Sequence, residues 1–365
     1  MEKTINTIAA HVKGLGARME QLAGSLCKAH DFSPDLKVRI RDQELSGIRI
    51  CGVDGGFLKK EYHGCSLILR RAVAVCFNYE KGRLGSVAYW PSRKPVPEPI
   101  VVGPEFAESD FNLLASLKRI ELEIATAIEA VKQLKPNVLV LDGSIVLYPA
   151  DVPRKDSSAF QIYQSVIELF KKLYQICSER RILLVGAVED SRGRRYCNLL
   201  RTEIIPRITQ SSGISTELKK RIKDGCTILP RATDTLFLYY LLRNGERTGA
   251  FRYTEAPPEL PLMKDLGKWK NSMYVMYLKA VEYDRPLRLD FLAQDDVEIV
   301  ADRAAAIIWA ISKQNRTYAY PSVLIEADAR AKLSEHEITL FKAAIAEKIG
   351  RSPSLFELRR ETRPF

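Results

Sequence analysis

Apolar residues recur at helical spacing at the start of the chain, at Ile5, Ile8, Val12, Leu15, Met19, Leu22 and Leu26. That spacing predicts a long leading helix, followed by a polar connection through Ser33, Pro34 and Asp35. The period then changes. Strand-like runs over 47–53, 66–77 and 85–90, with turn material at Asp54-Gly55-Gly56 and Glu80-Lys81-Gly82, predict an antiparallel meander. Residues 91–104 are proline-rich and are expected to cross the surface. A strong amphipathic helix follows over about 110–135, with Leu113, Leu117, Ile120, Ile124, Ile128 and Val131 on one stripe and Pro136 as its stop. A short buried strand at 138–141, a second amphipathic helix at 157–180 and a strand at 182–188 alternate, which implies parallel neighbours. The stretch 191–300 mixes expected helices at 214–224 and 233–243 with strands at 272–278 and 287–291. From Asp296 onward the chain is largely helical, broken at Tyr320-Pro321.

Composition narrows the class of protein. The 365 residues carry 56 Lys plus Arg against 45 Asp plus Glu, a formal charge of +11, so a polyanionic partner is plausible on charge and not demanded by it. No run approaches the roughly 18 apolar residues of a membrane span, and 1–16 lacks a signal-type hydrophobic region. The seven cysteines are odd in number and include no CxxC pair, which argues against zinc or a disulfide framework and for thiols in a reducing cytoplasm.

The candidate chemistry is acidic. Two hydrophobic strands run straight into an Asp followed by small residues, Asp54-Gly55-Gly56 and Asp142-Gly143-Ser144. Rigid backbone would hold each carboxylate while glycine permits a sharp turn and close approach, although Asp-Gly is also the commonest turn dipeptide. Between them, the 110–135 helix carries Glu121 and Glu123 on opposite shoulders of its apolar stripe, and at about 100° per residue periodicity does not choose between them. Asp328 follows Tyr320, Pro321 and Leu324 in the expected first turns of a late helix, where an acid would equally serve the helix dipole. Strand Asp, helix Glu, strand-end Asp and late helix Asp is the order in which ribonuclease H-like nucleases gather a metal site. Crowded carboxylates cannot all ionise without cations, and all-oxygen donors select Mn²⁺ or Mg²⁺ over zinc. Two such ions about 4 Å apart would serve phosphodiester hydrolysis.

The strand into Asp54-Gly55-Gly56, the strand into Leu141-Asp142-Gly143-Ser144, the run from Asp234 to Leu242 with Gly245-Glu246-Arg247, the Pro286-Leu287-Arg288 strand and Tyr320-Pro321 with Leu324 and Ala327 together resemble the NurA nucleases, partners of the HerA hexameric ATPase in DNA end processing. The resemblance spans about 48–330. It implies an α/β ribonuclease H-like mixed sheet flanked by helices, with a long N-terminal helix and a large α+β insertion. On it, 1–46 is a helical leader, 47–190 the first part of the core, 191–300 the insertion, and 301–365 the helices completing the core. It further implies a homodimer, docking onto a HerA-like ATPase, and Mn²⁺-dependent hydrolysis of single- and double-stranded DNA ends, of 5′–3′ exonuclease and single-strand endonuclease type. Carried over position by position, the metal and catalytic acids fall on Asp54, Asp142 and Glu123, which stands nineteen residues before Asp142. The fourth falls on Asp328, where the family commonly has His in an Ala-His pair and this chain has Ala327-Asp328. Arg247 and Arg288 match family positions and are phosphate candidates. Arg192, Arg194, Arg195 and Arg201, with Tyr196 among them, form a basic run suited to a DNA backbone.

Two other readings compete. Paired Asp-Gly loops occur in actin-like ATPases and sugar kinases, but bulky Phe57 follows Gly55-Gly56 where those proteins need small hydroxyl and glycine residues. A non-catalytic DNA-binding adaptor for an ATPase is the other, and joint retention of Asp54, Glu123 and Asp142 speaks against it. No Walker lysine motif is present, so ATP-driven movement would come from a partner.

Overall fold

The computed structural model describes residues 2–103 and 108–349. The end of the expected surface crossing, at Pro104, and the tail from 350 onward lie outside them. The chain groups into two compact units, Met1–Glu44 with Ala187–Tyr253 and Ser272–Pro321, and Leu45–Gly186 with Thr254–Asn271 and the segment from Ser322 onward.

In the unit that begins at Leu45, β2 (Arg49–Glu61), β3 (Ser66–Glu80) and β4 (Arg83–Trp90) form the expected meander. β5 (Glu98–Val102) is an edge strand on β3, so the proline-rich segment is not wholly a surface crossing; Pro99, which lacks an amide hydrogen, is tolerated at such an edge. The helix α2 (Glu108–Leu134) leads to β6 (Val138–Asp142), and α3 (Phe160–Glu179) leads to β7 (Leu183–Val188). Strand order is β7-β6-β2-β3-β4, with β6 parallel to β2. This is the ribonuclease H-like mixed sheet expected from the sequence. Its centre is fully apolar, Val138 to Leu141 being buried throughout, as a strand covered on both faces requires.

The late helices complete this unit. α10 (Ser322–Ala331) packs on β2 and β3, and α11 (Glu335–Ile349) is tied down by an ion pair from Glu337 to buried Arg71. Asp54-Gly55-Gly56 is not a turn. It lies in mid-strand, with Asp54 opposite Val73 and Gly56 opposite Arg71. Its glycines serve close packing: a Cβ at Gly56 would stand 2.6 Å from the Ala331 carbonyl oxygen, and one at Gly52 would stand 2.9 Å from Val323. Alternation along the strand therefore turns Gly52, Asp54 and Gly56 toward α10 and Gly55 toward α2.

The other unit contains α1 (Glu2–Lys28), β1 (Val38–Arg39), α4 (Arg195–Leu199), a π turn at Leu200–Ile204, α5 (Ile205–Gln210), α6 (Thr216–Gly225), α7 (Asp234–Leu241), β8 (Glu246–Arg247) and β9 (Phe251–Arg252). After α8 (Pro261–Asp265), which belongs with the first-described unit, come β10 (Met273–Lys279), β11 (Leu287–Leu292) and α9 (Val297–Ser312). The sheet runs β1-β8-β10-β11, with β9 also on β10. Only the second half of the α1 stripe is buried: Met19, Leu22 and Leu26 join Ile204, Phe237 and Tyr277 in one core, while Ile5, Ile8 and Val12 are exposed. Among the described residues, no helix is long and apolar enough to cross a membrane.

Candidate functional site

The parallel pairing of β2 with β6 ends at Val53 opposite Leu141. The next residue on each strand is an acid, so Asp54 and Asp142 emerge side by side, about 4.8 Å apart along the sheet. Gly143, at φ +92, then turns the chain away from the sheet, a conformation that suits glycine. Asp54 is buried; its Oδ1 accepts from the Gly55 amide at 2.7 Å, and its carboxyl is hydrogen-bonded to Asp142. Burial, then the charge of Asp142, then that shared hydrogen bond and the charge of Asp328 push the Asp54 carboxyl up to about 7, against the Gly55 amide.

Glu123 arrives from α2, on the face of β2 that Gly55 leaves open: a Cβ on Gly55 would press on the Glu123 side chain at 3.2 Å. Arg119, one turn earlier on the helix, donates to Glu123 Oε2 at 2.7 Å and approaches the Gly55 carbonyl oxygen at 3.4 Å. Burial outweighs the pull of Arg119, and with the charges of Asp54 and Asp142 it raises the Glu123 carboxyl to about 8. Glu121 points elsewhere, accepting from Arg70 at 2.9 Å and Lys118 at 3.0 Å; burial opposes those two cations, yet they hold its carboxyl below the ordinary value. Periodicity left the two glutamates equal; in the fold Glu121 pairs with Arg70 of β3 and Glu123 does not.

Asp328 is exposed on α10 and reaches the group through its charge on Asp54. The four predicted acids thus approach one place from β2, α2, the end of β6 and α10. Among the described residues, no three His, Cys, Asp or Glu side chains close into a metal shell, since Glu123 is held by Arg119 and Asp54 by Asp142. The donor chemistry nonetheless fits a hard divalent cation: the groups are carboxylates only, and their mutual repulsion is what a bound cation would relieve.

The basic residues are placed differently. Arg247 is buried, with Nη2 2.8 Å from Glu298, Nε 3.0 Å from Asp302 and Nη1 donating to the Thr248 carbonyl. Arg288 forms a fork onto buried Asp290, at 2.7 and 3.0 Å. Both are engaged inside the protein rather than presented to a phosphate. Arg192 and Arg194 are exposed, and Arg195 is half-buried and donates to the Arg252 carbonyl. Tyr196, expected among them as a stacking ring, is buried, its hydroxyl donating to the Leu36 carbonyl. Arg119 was missed by sequence reasoning, although its spacing of four from Glu123 was a visible signal.

A profile of the NurA domain matches residues 48–333. Fold and profile together define a nuclease with a ribonuclease H-like mixed sheet. The chain belongs to the NurA family. Its fold is shared with the NurA nuclease from Sulfolobus solfataricus, at a TM-score of 0.59 and 14% identity over 95% of this chain and 96% of that one. A NurA structure with manganese aligns at a TM-score of 0.50 and 11% identity, over 96% of this chain and 99% of that one. No curated protein sequence matches the chain.

Proposed function

We propose that this nuclease is a Mn²⁺-dependent deoxyribonuclease acting on DNA ends by two-metal phosphodiester hydrolysis, as a homodimer docked on a HerA-like hexameric ATPase. The observation that carries the reading is the emergence of Asp54 and Asp142 side by side from parallel strands, with Glu123 coupled to both. Manganese is favoured by the all-carboxylate donor set and by its presence in a NurA structure of the same fold. Asp54, Glu123, Asp142 and Asp328 would hold the ions, which when bound supply charge neutralisation at the scissile phosphate and a more acidic attacking water. The chain's own part is positional. The strand register fixes Asp54 against Asp142, Arg119 keeps Glu123 over Gly55, and α10 brings Asp328 from the opposite face. All seven cysteines are free, in keeping with a reducing cytoplasm.

The test is cleavage of end-labelled linear DNA with Mn²⁺ or with EDTA. Cleavage with Mn²⁺ alone, of 5′–3′ polarity, is expected, and Asp54→Ala and Asp142→Ala should abolish it while circular dichroism and dimer mass persist. Full activity of both variants would overturn the assignment. Co-elution with a HerA-like ATPase tests the partner.

A further inference from the structure

We infer that the unit containing β10 and β11 carries a second nucleic-acid contact, a pocket that takes one nucleotide of an unpaired strand. It rests on the nuclease reading only for the choice of DNA as the strand. The pocket lies between the β10–β11 connection and the end of α9, has a volume of about 300 Å³, and is lined by Asn244, Tyr283, Trp309, Lys313 and Arg316 together with Glu282. That volume is at the lower end of small-ligand sites.

Its lining combines flat rings with cations. Trp309 is fixed by its Nε1, which donates to the Ala280 carbonyl at 3.2 Å. Lys313 Nζ stands 4.4 Å above the indole and 3.5 Å from Asp42, so the ammonium lies over an aromatic face with its counter-charge at the surface. Gly245, at φ +75, leaves room for two neighbours: a Cβ there would meet the Trp309 ring at 3.1 Å and the Arg39 guanidinium at 3.2 Å. Arg39 is itself held by the Asn244 carbonyl at 2.6 Å. Tyr283 is 61% exposed, and Arg316 is exposed on the same lining.

The lining holds two cations, Lys313 and Arg316, with the Glu282 carboxylate, and Lys313 is also paired with Asp42. A purely apolar ligand would make no use of Arg316 and Lys313. A free anion such as phosphate would make no use of the rings. A nucleotide uses both, with its base against Tyr283 and its phosphate between Lys313 and Arg316. The strand must be unpaired, because in a duplex the base faces are stacked on each other.

The experiment is fluorescence anisotropy of labelled dT20 and of a 20-base-pair duplex on the full chain in EDTA, where no cleavage occurs. Tyr283→Ala is expected to weaken dT20 binding about tenfold, the loss of one stacked base, and to leave duplex binding unchanged. Arg316→Gln should lower the slope of log affinity on log salt for dT20 by about 0.7. Both side chains are at the surface, so the fold persists. Wild-type affinity for dT20 in both variants, absence of dT20 binding by the parent protein, or an equal loss on dT20 and duplex would overturn the inference. Hydrolysis of bis(p-nitrophenyl) phosphate with Mn²⁺ reads the acidic centre separately. It is expected to be unchanged in both variants, and its absence in the parent protein would overturn the nuclease reading while the strand-binding result stands.

Discussion

With Asp54 near 7 and Glu123 near 8, two carboxyls bind protons in the folded protein that they would release in the unfolded chain above about pH 4. A raised carboxyl favours the folded state below the unfolded value, and that advantage is lost as pH rises through 7 and 8. Metal-free protein should therefore lose stability between pH 4 and 8. Asp54→Asn and Glu123→Gln should recover it at pH 8 and change little at pH 4, as thermal unfolding in EDTA will show; equal effects at both values would contradict the assignment. Arg119 works against this penalty. Arg119→Gln leaves Glu123 buried without its cation and should destabilise the metal-free protein by about 1–3 kcal/mol at pH 8 in urea unfolding, and by less at pH 5, where Glu123 is protonated. At this scale the sequence displayed the residues but not their directions. Glu121 and Glu123 stand equally well on the stripe, and their partners in space, Arg70 for one and Arg119 for the other, are not visible in the period.

At the scale of elements, long periodic segments were legible. The leading helix, α2, α3, the meander and the strands ending at Asp142 and Val188 all follow from spacing and stop signals, although α1 buries only the second half of its apolar stripe. Two features were misread for the same reason. Asp-Gly-Gly is a local turn signal, and prolines are a local loop signal, yet the first lies in the middle of the β2–β3 hairpin and part of the second pairs with β3. The two-residue strands β1, β8 and β9 carry too few residues for any period to show. The glycines of β2 make a prediction of their own. Gly56→Val would drive a side chain into the α10 backbone and should cost about 1–3 kcal/mol, with cleavage lost out of proportion to stability. Paired measurement of melting temperature and cleavage rate on Gly56→Val and on the exposed-loop control Gly64→Val will separate the two, since nothing lies within 4 Å of a Cβ at Gly64.

At the scale of the whole molecule, the charge of +11 conceals a local inversion: a small acidic group in a protein with 56 basic residues. Bound divalent ions would relieve that group, so Mn²⁺ at a hundredfold excess over its Kd should add about 2.7 kcal/mol of stability. At one fixed Mn²⁺ concentration the gain should be larger at pH 8 than at pH 6, because binding must displace protons from Asp54 and Glu123 and so weakens as pH falls. Differential scanning calorimetry across that range tests it, and a pH-independent gain would count against metal binding at these acids. The seat of α10 has a further meaning. Contact between helix and strand is made by backbone at Gly52 and Gly56, while Asp328 stands exposed on that same helix. Mounting and tool are thus separate parts. The side chain at 328 can be exchanged, Asp for His or the reverse, without recutting the surface that holds the helix, and were it to hold an ion as proposed, metal preference could change there one residue at a time.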